Sequence, residues 1–252
     1  MKQLIFLFIF ISSILCAQDK KCGSNFRLNK YLEKNLEANN IRSIIEQKNT
    51  QFQLKKELNI TIPVVIHVVY KNGNENISDA QIQSQLDVLN KDFTRTNTDA
   101  INTPADFLPF ASNAQINFCL AQQTPNGNPT NGIVRKQTIN NLFTLLGDDI
   151  YYDSLGGSTA WNTNKYLNIW VAKTENGVLG WAQFPAGGNS NTDGVVIDFQ
   201  HFGTIGTVIY PYNLGRTATH EIGHWFNLFH IWGDNSCGDD YVNDTPEQEE
   251  GN

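Results

Sequence analysis

The chain has 252 residues, of which 40% are hydrophobic and 17% are charged, as in an ordinary folded protein with one main domain. Its net charge of −7 is unevenly divided: residues 18 to 57 carry nine Lys/Arg and five Asp/Glu (+4), whereas residues 58 to 252 carry eight and twenty (−12). An acidic body repels phosphates, which argues against nucleic-acid binding. The scattered charges of the basic segment favour docking on its own body.

The N-terminus has the features of a secretory signal peptide. Lys2 precedes an apolar run that ends at Leu15, shorter than the roughly 20 residues that a membrane helix needs. Ala17 follows, so we expect residues 1–17 to be removed and the protein to be secreted without a stable membrane anchor. The alternatives are an uncleaved anchor and a lipid anchor at Cys16, and the bulky Leu15 disfavours the lipid anchor.

Residues 18–57 form a basic leader, which we interpret as a propeptide. Its apolar residues have the spacing of short amphipathic helices, with an interruption at Asn39 and Asn40. These apolar residues are Leu32, Leu36, Ile41, Ile44 and Ile45. The leader cannot form a core alone, and we expect a cut near Lys55 or Lys56 to separate it from the body.

The body, residues 58–252, begins with a strand and a helix. LNITIPVVIHVVY is β-branched and apolar on both faces, which indicates a buried strand and makes His67 a hydrogen-bonded core residue rather than a ligand. NISDAQIQSQLDVLNKDF places Ser78 and Gln81 in capping-box positions before an apolar helical stripe. INFCLA, YLNIWVA and DGVVIDF predict further strands, and LGWAQFP predicts an edge strand.

The stretch HEIGHWFNLFH, from His220 to His230, contains three of the five histidines and a glutamate. On a helix, His220 and His224 lie on one face and can bind a single metal ion, with Glu221 beside it. His230 reaches the same ion only if the helix ends and the chain turns back. Asn227 lies in that gap, and asparagine is one of the few residues that adopt the left-handed conformation such a turn requires.

Three neutral imidazoles leave a tetrahedral zinc ion with one position for water, as in catalytic zinc sites. The ion lowers the pKa of this water towards about 7 and polarises a peptide carbonyl, while Glu221 takes the proton and passes it to the leaving amine. The alternative is a core helix that carries histidines, because aromatic residues surround them. The spacing is too specific for that alternative, and it predicts a zinc peptidase.

The motif resembles the metzincin zinc-binding signature, with Asn227 in place of the usual glycine. Together with GRTATHEIGHW, LGWAQFP, IPVVIHVVY, the predicted helix and VNDTP, it looks like the pappalysin family of metzincins, of the bacterial cytophagalysin type. The resemblance covers most of residues 58–252. It implies a secreted zinc endopeptidase with an α+β, metzincin-like zincin fold: a twisted mixed five-stranded sheet, backing helices, an active-site helix and a cleft between two lobes.

The resemblance also assigns LGWAQFP to the upper rim of the cleft. There the backbone of Trp181, Ala182, Gln183 and Phe184 is expected to pair with an extended substrate by β-augmentation. Metzincins have a methionine-containing turn beneath the zinc, whereas the single methionine here is Met1, and the sequence stops 22 residues after the third histidine. We therefore expect the C-terminal lobe to be truncated, and the alternative is a zinc site that lacks this usual support.

The segment DNSCGDDYVNDTPEQEE is rich in aspartate. In the pappalysins that the chain resembles, the matching segment binds calcium. This implies calcium ligands in the side chain of Asp240 and the backbone oxygens of Val242 and Thr245, the hard oxygen atoms that calcium prefers. The alternative is a solvated acidic loop.

Removal of the signal peptide leaves Cys22, Cys119 and Cys237, an odd number in a compartment where thiols tend to pair. Cys22 in KKCGS can be a fourth zinc ligand, because a thiolate binds zinc strongly, adjacent lysines favour the thiolate, and Gly23 permits close approach. A similar Cys-Gly in some pappalysin propeptides implies a cysteine switch. The alternative is that Cys22 pairs with another thiol. Cys119 is expected to be buried, and the partner of Cys237 to lie beyond Asn252.

Two functions follow from these patterns. The first is a secreted zinc endopeptidase, made as a latent zymogen, that cleaves protein or peptide substrates. The second is a zinc-binding module or inactive fragment that binds peptides without cleaving them. Glu221 favours the first, because a non-catalytic relative has no need of the base.

Overall fold

The computed structural model describes residues 21–49, 59–234 and 238–242. The expected signal peptide, the expected cleavage positions Lys55 and Lys56, Cys237 and Thr245 lie outside these ranges. Within them, no helix has both the length and the apolar character needed to cross a membrane.

One mixed sheet organises the body. The helices are α1 (Ser24–Leu32), α2 (Leu36–Asn49), α3 (Asp79–Phe93) and α4 (Arg216–Trp225). The strands are β1 (Ile60–Tyr70), β2 (Ile116–Leu120), β3 (Ile133–Gln137), β4 (Leu167–Ala172), β5 (Gly180–Ala182) and β6 (Val195–Asp198). The sheet runs β2-β1-β4-β6-β5, and β3 also pairs with β1. All pairings are parallel except that of β5 with β6. The α+β class and the mixed sheet are confirmed.

Strand β3 is a sixth strand that the sequence patterns did not predict. β1 has 11 residues, and its two halves pair with different neighbours: Ile60–Val64 with β2 and Ile66–Tyr70 with β3. β3 is only five residues long, is partly exposed and contains Arg135 and Lys136. A short strand with this composition has little of the apolar alternation by which strands are recognised.

The two faces of the sheet are covered by different parts of the chain. α3 and α4 pack on one face against alternate residues of the central strands, such as Ile66 and Ile169. Ser78 caps α3 as predicted, because its side chain accepts a hydrogen bond from the Gln81 backbone N–H at 3.1 Å. The opposite face, which includes Trp170, is covered by residues between 143 and 151.

His67 is a core residue on that second face, as the strand pattern predicted. It is fully buried, stacks on Trp170 with ring centroids 5.2 Å apart, and hydrogen bonds through its two ring nitrogens to Ser158 at 2.8 Å and Asn168 at 3.0 Å. Burial lowers the pKa of His67 to about 4, so the ring is neutral at pH 7.

The leader forms two helices, but the predicted break and the predicted apolar face are wrong. The break lies between Leu32 and Leu36, where Asn35 donates a side-chain hydrogen bond to the Tyr31 carbonyl at 2.7 Å, whereas Asn39 and Asn40 lie inside α2. The predicted apolar residues of α2 remain largely exposed: Leu36, Ile41 and Ile44 are 79%, 43% and 50% exposed. Helix α2 instead buries Ala38 and Arg42.

Candidate functional site

Helix α4 and the turn after it bring the three predicted histidines together. α4 carries His220 and His224 one turn apart and ends at Trp225. Asn227 has a φ of 77°, as the motif predicted, and its N–H donates to the His224 carbonyl at 2.9 Å. This left-handed residue ends the helix and directs the chain back, so that His230 faces the other two histidines.

The three Nε2 atoms converge on one point. They are 3.0 Å apart between His220 and His224, 3.2 Å between His224 and His230, and 3.1 Å between His220 and His230. Tetrahedral zinc with bonds of about 2.0 to 2.1 Å holds its ligand atoms about 3.4 Å apart. The donor set therefore fits a single zinc ion after adjustments of a few tenths of an ångström.

Other contacts orient two of the rings. The Nδ1 atom of His224 lies 2.7 Å from the Leu228 carbonyl, and the Nδ1 atom of His230 lies 2.6 Å from an Asp234 carboxylate oxygen. Because these oxygens accept a hydrogen from Nδ1, the lone pair of each Nε2 is left free for a metal. Asp234 is a candidate site residue that the sequence reasoning missed, and the sequence feature that pointed to it was its spacing of four residues from His230.

The imidazoles of His220 and His224 are neutral at pH 7. Burial lowers the pKa of His224 to about 3, desolvation of the ring lowers that of the partly exposed His220 to about 4, and neighbouring histidines lower each further. A neutral imidazole is the form that binds a metal. These two rings are therefore in the metal-binding form at neutral pH.

Glu221 lies beside the convergence point and is 1% exposed. Burial raises its pKa to about 7, against the opposing effect of hydrogen bonds from Ser24 and Cys22. A carboxyl group with a pKa near 7 can take up and release a proton at neutral pH, as a general base and acid must.

The leader enters this site through Cys22. Its Sγ atom lies 3.3 Å from the Nε2 atom of His224 and donates a weak hydrogen bond to Glu221 at 3.6 Å. Ligand atoms of Cys22 and the three histidines all lie within 4.8 Å of one another, so this group of four residues could hold one metal ion. Burial and then the Glu221 carboxylate raise the pKa of the thiol. This is opposite to the effect expected from the adjacent lysines.

Ser24 is a second leader residue in the site, and the sequence reasoning missed it. Its hydroxyl donates to the Glu221 carboxylate at 2.6 Å and accepts from the Ala182 N–H at 2.8 Å. Ser24 is fully buried, so these bonds form without competition from water. The sequence feature that could have identified Ser24 is its position at the start of the first leader helix, immediately after Cys-Gly.

The leader also covers the predicted rim of the cleft. β5 is the edge strand, as predicted, and Cys22 lies beside Gly180 in a parallel bridge. The Gly23 N–H donates to the Gly180 carbonyl at 3.0 Å, and the Leu179 N–H donates to the Lys21 carbonyl at 2.8 Å. The leader therefore occupies backbone groups on the rim.

The predicted rim residues differ in their surroundings. Trp181, Ala182 and Phe184 are each 1% exposed, and the indole N–H of Trp181 donates to Tyr151 at 2.8 Å. Gln183 is half-buried and accepts a hydrogen bond from Thr192 at 2.5 Å. Their role in substrate binding stays a prediction.

The aspartate-rich loop is described in part. Asp240 is buried, and its side chain accepts a hydrogen bond from the Val242 N–H at 3.0 Å. Calcium binding by Asp240, Val242 and Thr245 stays a prediction. Cys119 is exposed rather than buried as expected, because β2 lies at the edge of the sheet.

Two solved structures have a similar fold and a related sequence. A promirolysin mutant from Tannerella forsythia matches with a TM-score of 0.83 and 46% identity, over 92% of this chain and 78% of that chain. Mature mirolysin from the same organism, in complex with a cleaved peptide, matches with a TM-score of 0.76 and 52% identity, over 78% and 75% of the two chains.

Curated relatives and a family model agree with the structures. Extracellular metalloproteases from Verticillium alfalfae and Arthroderma benhamiae are 29% and 30% identical over 208 and 199 residues, which is 80% and 75% of this chain. The chain spans 63% and 59% of the lengths of these relatives. The Peptidase_M43 model, described as pregnancy-associated plasma protein-A, matches residues 151–252. The chain therefore belongs to the pappalysin family of metallopeptidases.

Proposed function

We propose that this chain is the latent form of a secreted zinc endopeptidase, in which His220, His224 and His230 hold the zinc ion. The observation that carries the proposal is the convergence of three Nε2 atoms within 3.2 Å of one another, beside the buried carboxylate of Glu221. The extracellular metalloproteases and mirolysins to which the chain is similar support the same activity.

Zinc bound by these histidines supplies a Lewis acid and lowers the pKa of a water molecule. Glu221 accepts a proton from the attacking water and returns it to the amine that leaves. The backbone of residues 181–184 pairs with an extended peptide and holds the peptide bond near Glu221.

Latency follows from the position of the leader. Cys22 completes the set of zinc ligands, and the Ser24 hydroxyl donates a hydrogen bond to the carboxylate of Glu221. The leader backbone covers part of the upper rim of the cleft. Water and substrate are therefore both excluded until the leader leaves. The proposal includes removal of residues 1–17 on secretion, a cut near Lys55 or Lys56, and a calcium site at Asp240.

The test compares the wild-type protein with Glu221→Ala after the leader is removed. We expect both proteins to bind one zinc ion per chain, because glutamate is the base rather than a ligand, and Glu221→Ala to lose cleavage of a quenched peptide by at least about a thousandfold. Elemental analysis and the cleavage assay are run on the same samples. Wild-type protein that binds zinc but cleaves nothing would favour a peptide-binding module.

A further inference from the structure

One of the three histidines has no partner that orients its ring. The Nδ1 atoms of His224 and His230 have hydrogen-bond acceptors, whereas within the described ranges the Nδ1 atom of His220 has none. The position of the His220 ring therefore depends on how α4 itself is held. An imidazole nitrogen lies about 5 to 6 Å from the axis of its helix, so a rotation of the helix by about 10° moves it by about 1 Å. Functional sites tolerate displacements of only about 0.5 Å.

Apolar packing alone does not determine the rotation of α4. Ala218 and Ile222 are buried against the sheet, and their contacts there are apolar. Such burial has no preferred direction, so it sets the distance of the helix from the sheet more firmly than its rotation. The N-terminus of α4 has no side-chain cap, because the residue before the helix is Gly215. The first turn of α4 is therefore held by other parts of the chain.

Helix α3 supplies polar contacts to this first turn. The amide of Gln85 donates to the Gly215 carbonyl at 2.9 Å and accepts from the Gly203 N–H at 2.6 Å. Two turns further along α3, the Asp92 carboxylate accepts a hydrogen bond from the Thr219 hydroxyl at 2.7 Å. The Gln85 contact lies at the end of α4 and limits its movement along its axis. The Asp92 contact lies on the flank of α4 and limits its rotation.

Asp92 makes the contact closest in sequence to the zinc site, because Thr219 directly precedes His220. The carboxylate oxygen that accepts from Thr219 is also 3.3 Å from the Nε atom of Arg216, the first residue of α4. The Asp92 side chain is only 8% exposed, so water competes little for these contacts. Helix α3 is itself packed on the sheet through its apolar stripe. One oxygen atom on a fixed helix therefore holds two residues of α4 that are one turn apart.

We propose that Asp92 is a positioning residue of the zinc site, which acts through Thr219 on the rotation of α4. This contact keeps His220 and Glu221, both on α4, in their places relative to His230, which lies beyond the end of the helix. The inference rests on the proposed peptidase function. It adds a residue outside the histidine motif on which the geometry of the zinc site depends.

The test measures the zinc affinity of the full-length chain by competition with a chelator. We expect Asp92→Ala and Thr219→Val each to weaken zinc binding about tenfold, because each removes the contact beside His220. Thr219→Ser keeps the hydroxyl and should bind zinc within about twofold of wild type. The double variant Asp92→Ala/Thr219→Val should lose little more than Asp92→Ala, because both substitutions remove the same hydrogen bond.

Asn90→Ala is the matched control for a merely structural role. Asn90 is half-buried on the same helix, but its amide bonds to the backbone of Phe118 in β2, at 2.7 and 3.1 Å. Asn90→Ala should therefore lower the free energy of unfolding, as Asp92→Ala does, without weakening zinc binding. Urea unfolding measures the stability of both variants. Cobalt(II), bound in place of zinc, reports ligand geometry through its visible absorption bands, which we expect to shift in Asp92→Ala and to stay unchanged in Asn90→Ala.

Zinc affinities of Asp92→Ala and Asn90→Ala that agree within about twofold, with unchanged cobalt spectra, overturn the positioning role. After the leader is removed, kcat/KM at saturating zinc should fall about 10- to 100-fold in Asp92→Ala, chiefly through kcat. A wild type that binds zinc but cleaves no peptide contradicts the proposed function, while the zinc affinities and cobalt spectra still decide the role of Asp92. A wild type that binds no zinc overturns both.

Discussion

Ser24→Ala should weaken the hold of the leader on the body. The serine hydroxyl bridges two body groups, because it donates to Glu221 at 2.6 Å and accepts from the Ala182 N–H at 2.8 Å. Alanine removes both bonds while the leader continues to cover the site. The Glu221 carboxylate and the Ala182 N–H then lose a partner in a region from which water is excluded.

The size of the effect follows from these two losses. A hydrogen bond to a charged group contributes about 1.5 to 3 kcal/mol, and a buried N–H without a partner costs about 1 to 3 kcal/mol. Because part of this loss is recovered by relaxation, we expect the leader to bind about 3 kcal/mol more weakly, or about a hundredfold.

The assay uses zinc-loaded full-length protein with a protease site introduced within residues 50–58. The folded protein is cut and diluted, and release of the leader is followed by gel filtration of timed samples. Ser43→Ala is the matched control, because Ser43 is an exposed leader serine whose hydroxyl bonds to Asn40 within α2. If the leaders of Ser24→Ala and Ser43→Ala dissociate equally slowly, the reasoning about Ser24 is wrong.

Three further predictions concern single side chains. Cys22→Ala should give peptide cleavage before the leader is removed, and a variant as latent as wild type in the same assay would show that the thiol does not guard the zinc. Asp234→Ala should lower zinc affinity about 10- to 100-fold in a chelator competition, because the His230 ring loses its orienting partner, whereas Asp87→Ala, at an exposed position of α3, should not. Burial lowers the pKa of His67 from 6.5 to about 4, so the unfolded chain binds the proton more tightly. The contribution of a neutral His67 is complete above pH 6.5, and about 3 kcal/mol is lost as the pH falls to 4. Urea unfolding at several pH values should show this loss in wild type but not in His67→Gln.

The sequence predicted the convergence of the three histidines because their geometry is local. His220 and His224 are separated by one helical turn, and the turn at Asn227 brings back a histidine only three residues later. The strand β1 and the cap at Ser78 were recognisable for the same reason, since periodicity and capping depend on near neighbours.

The contacts of the leader could not be predicted in this way. Apolar spacing suggested that Leu36, Ile41 and Ile44 face the body, whereas Arg42 does so. Its burial depends on acceptors and aromatic rings more than 140 residues further along the chain, around Phe184. Local sequence patterns carry no information about such distant partners. From these patterns a charged residue such as Arg42 is predicted to lie on the surface.

The leader touches the cleft at two separate points, Cys22–Ser24 and Arg42, and this spacing has a consequence for activation. While the chain is uncut, a leader contact that opens stays close to the cleft, because the other contact and the covalent link hold it there. Its effective concentration is therefore high, and rebinding is fast. A cut between leader and body ends the covalent link but keeps both contacts. The cut protein then becomes a two-part complex whose dissociation depends on dilution. Secretion into a large volume would therefore complete an activation that proteolysis alone only begins.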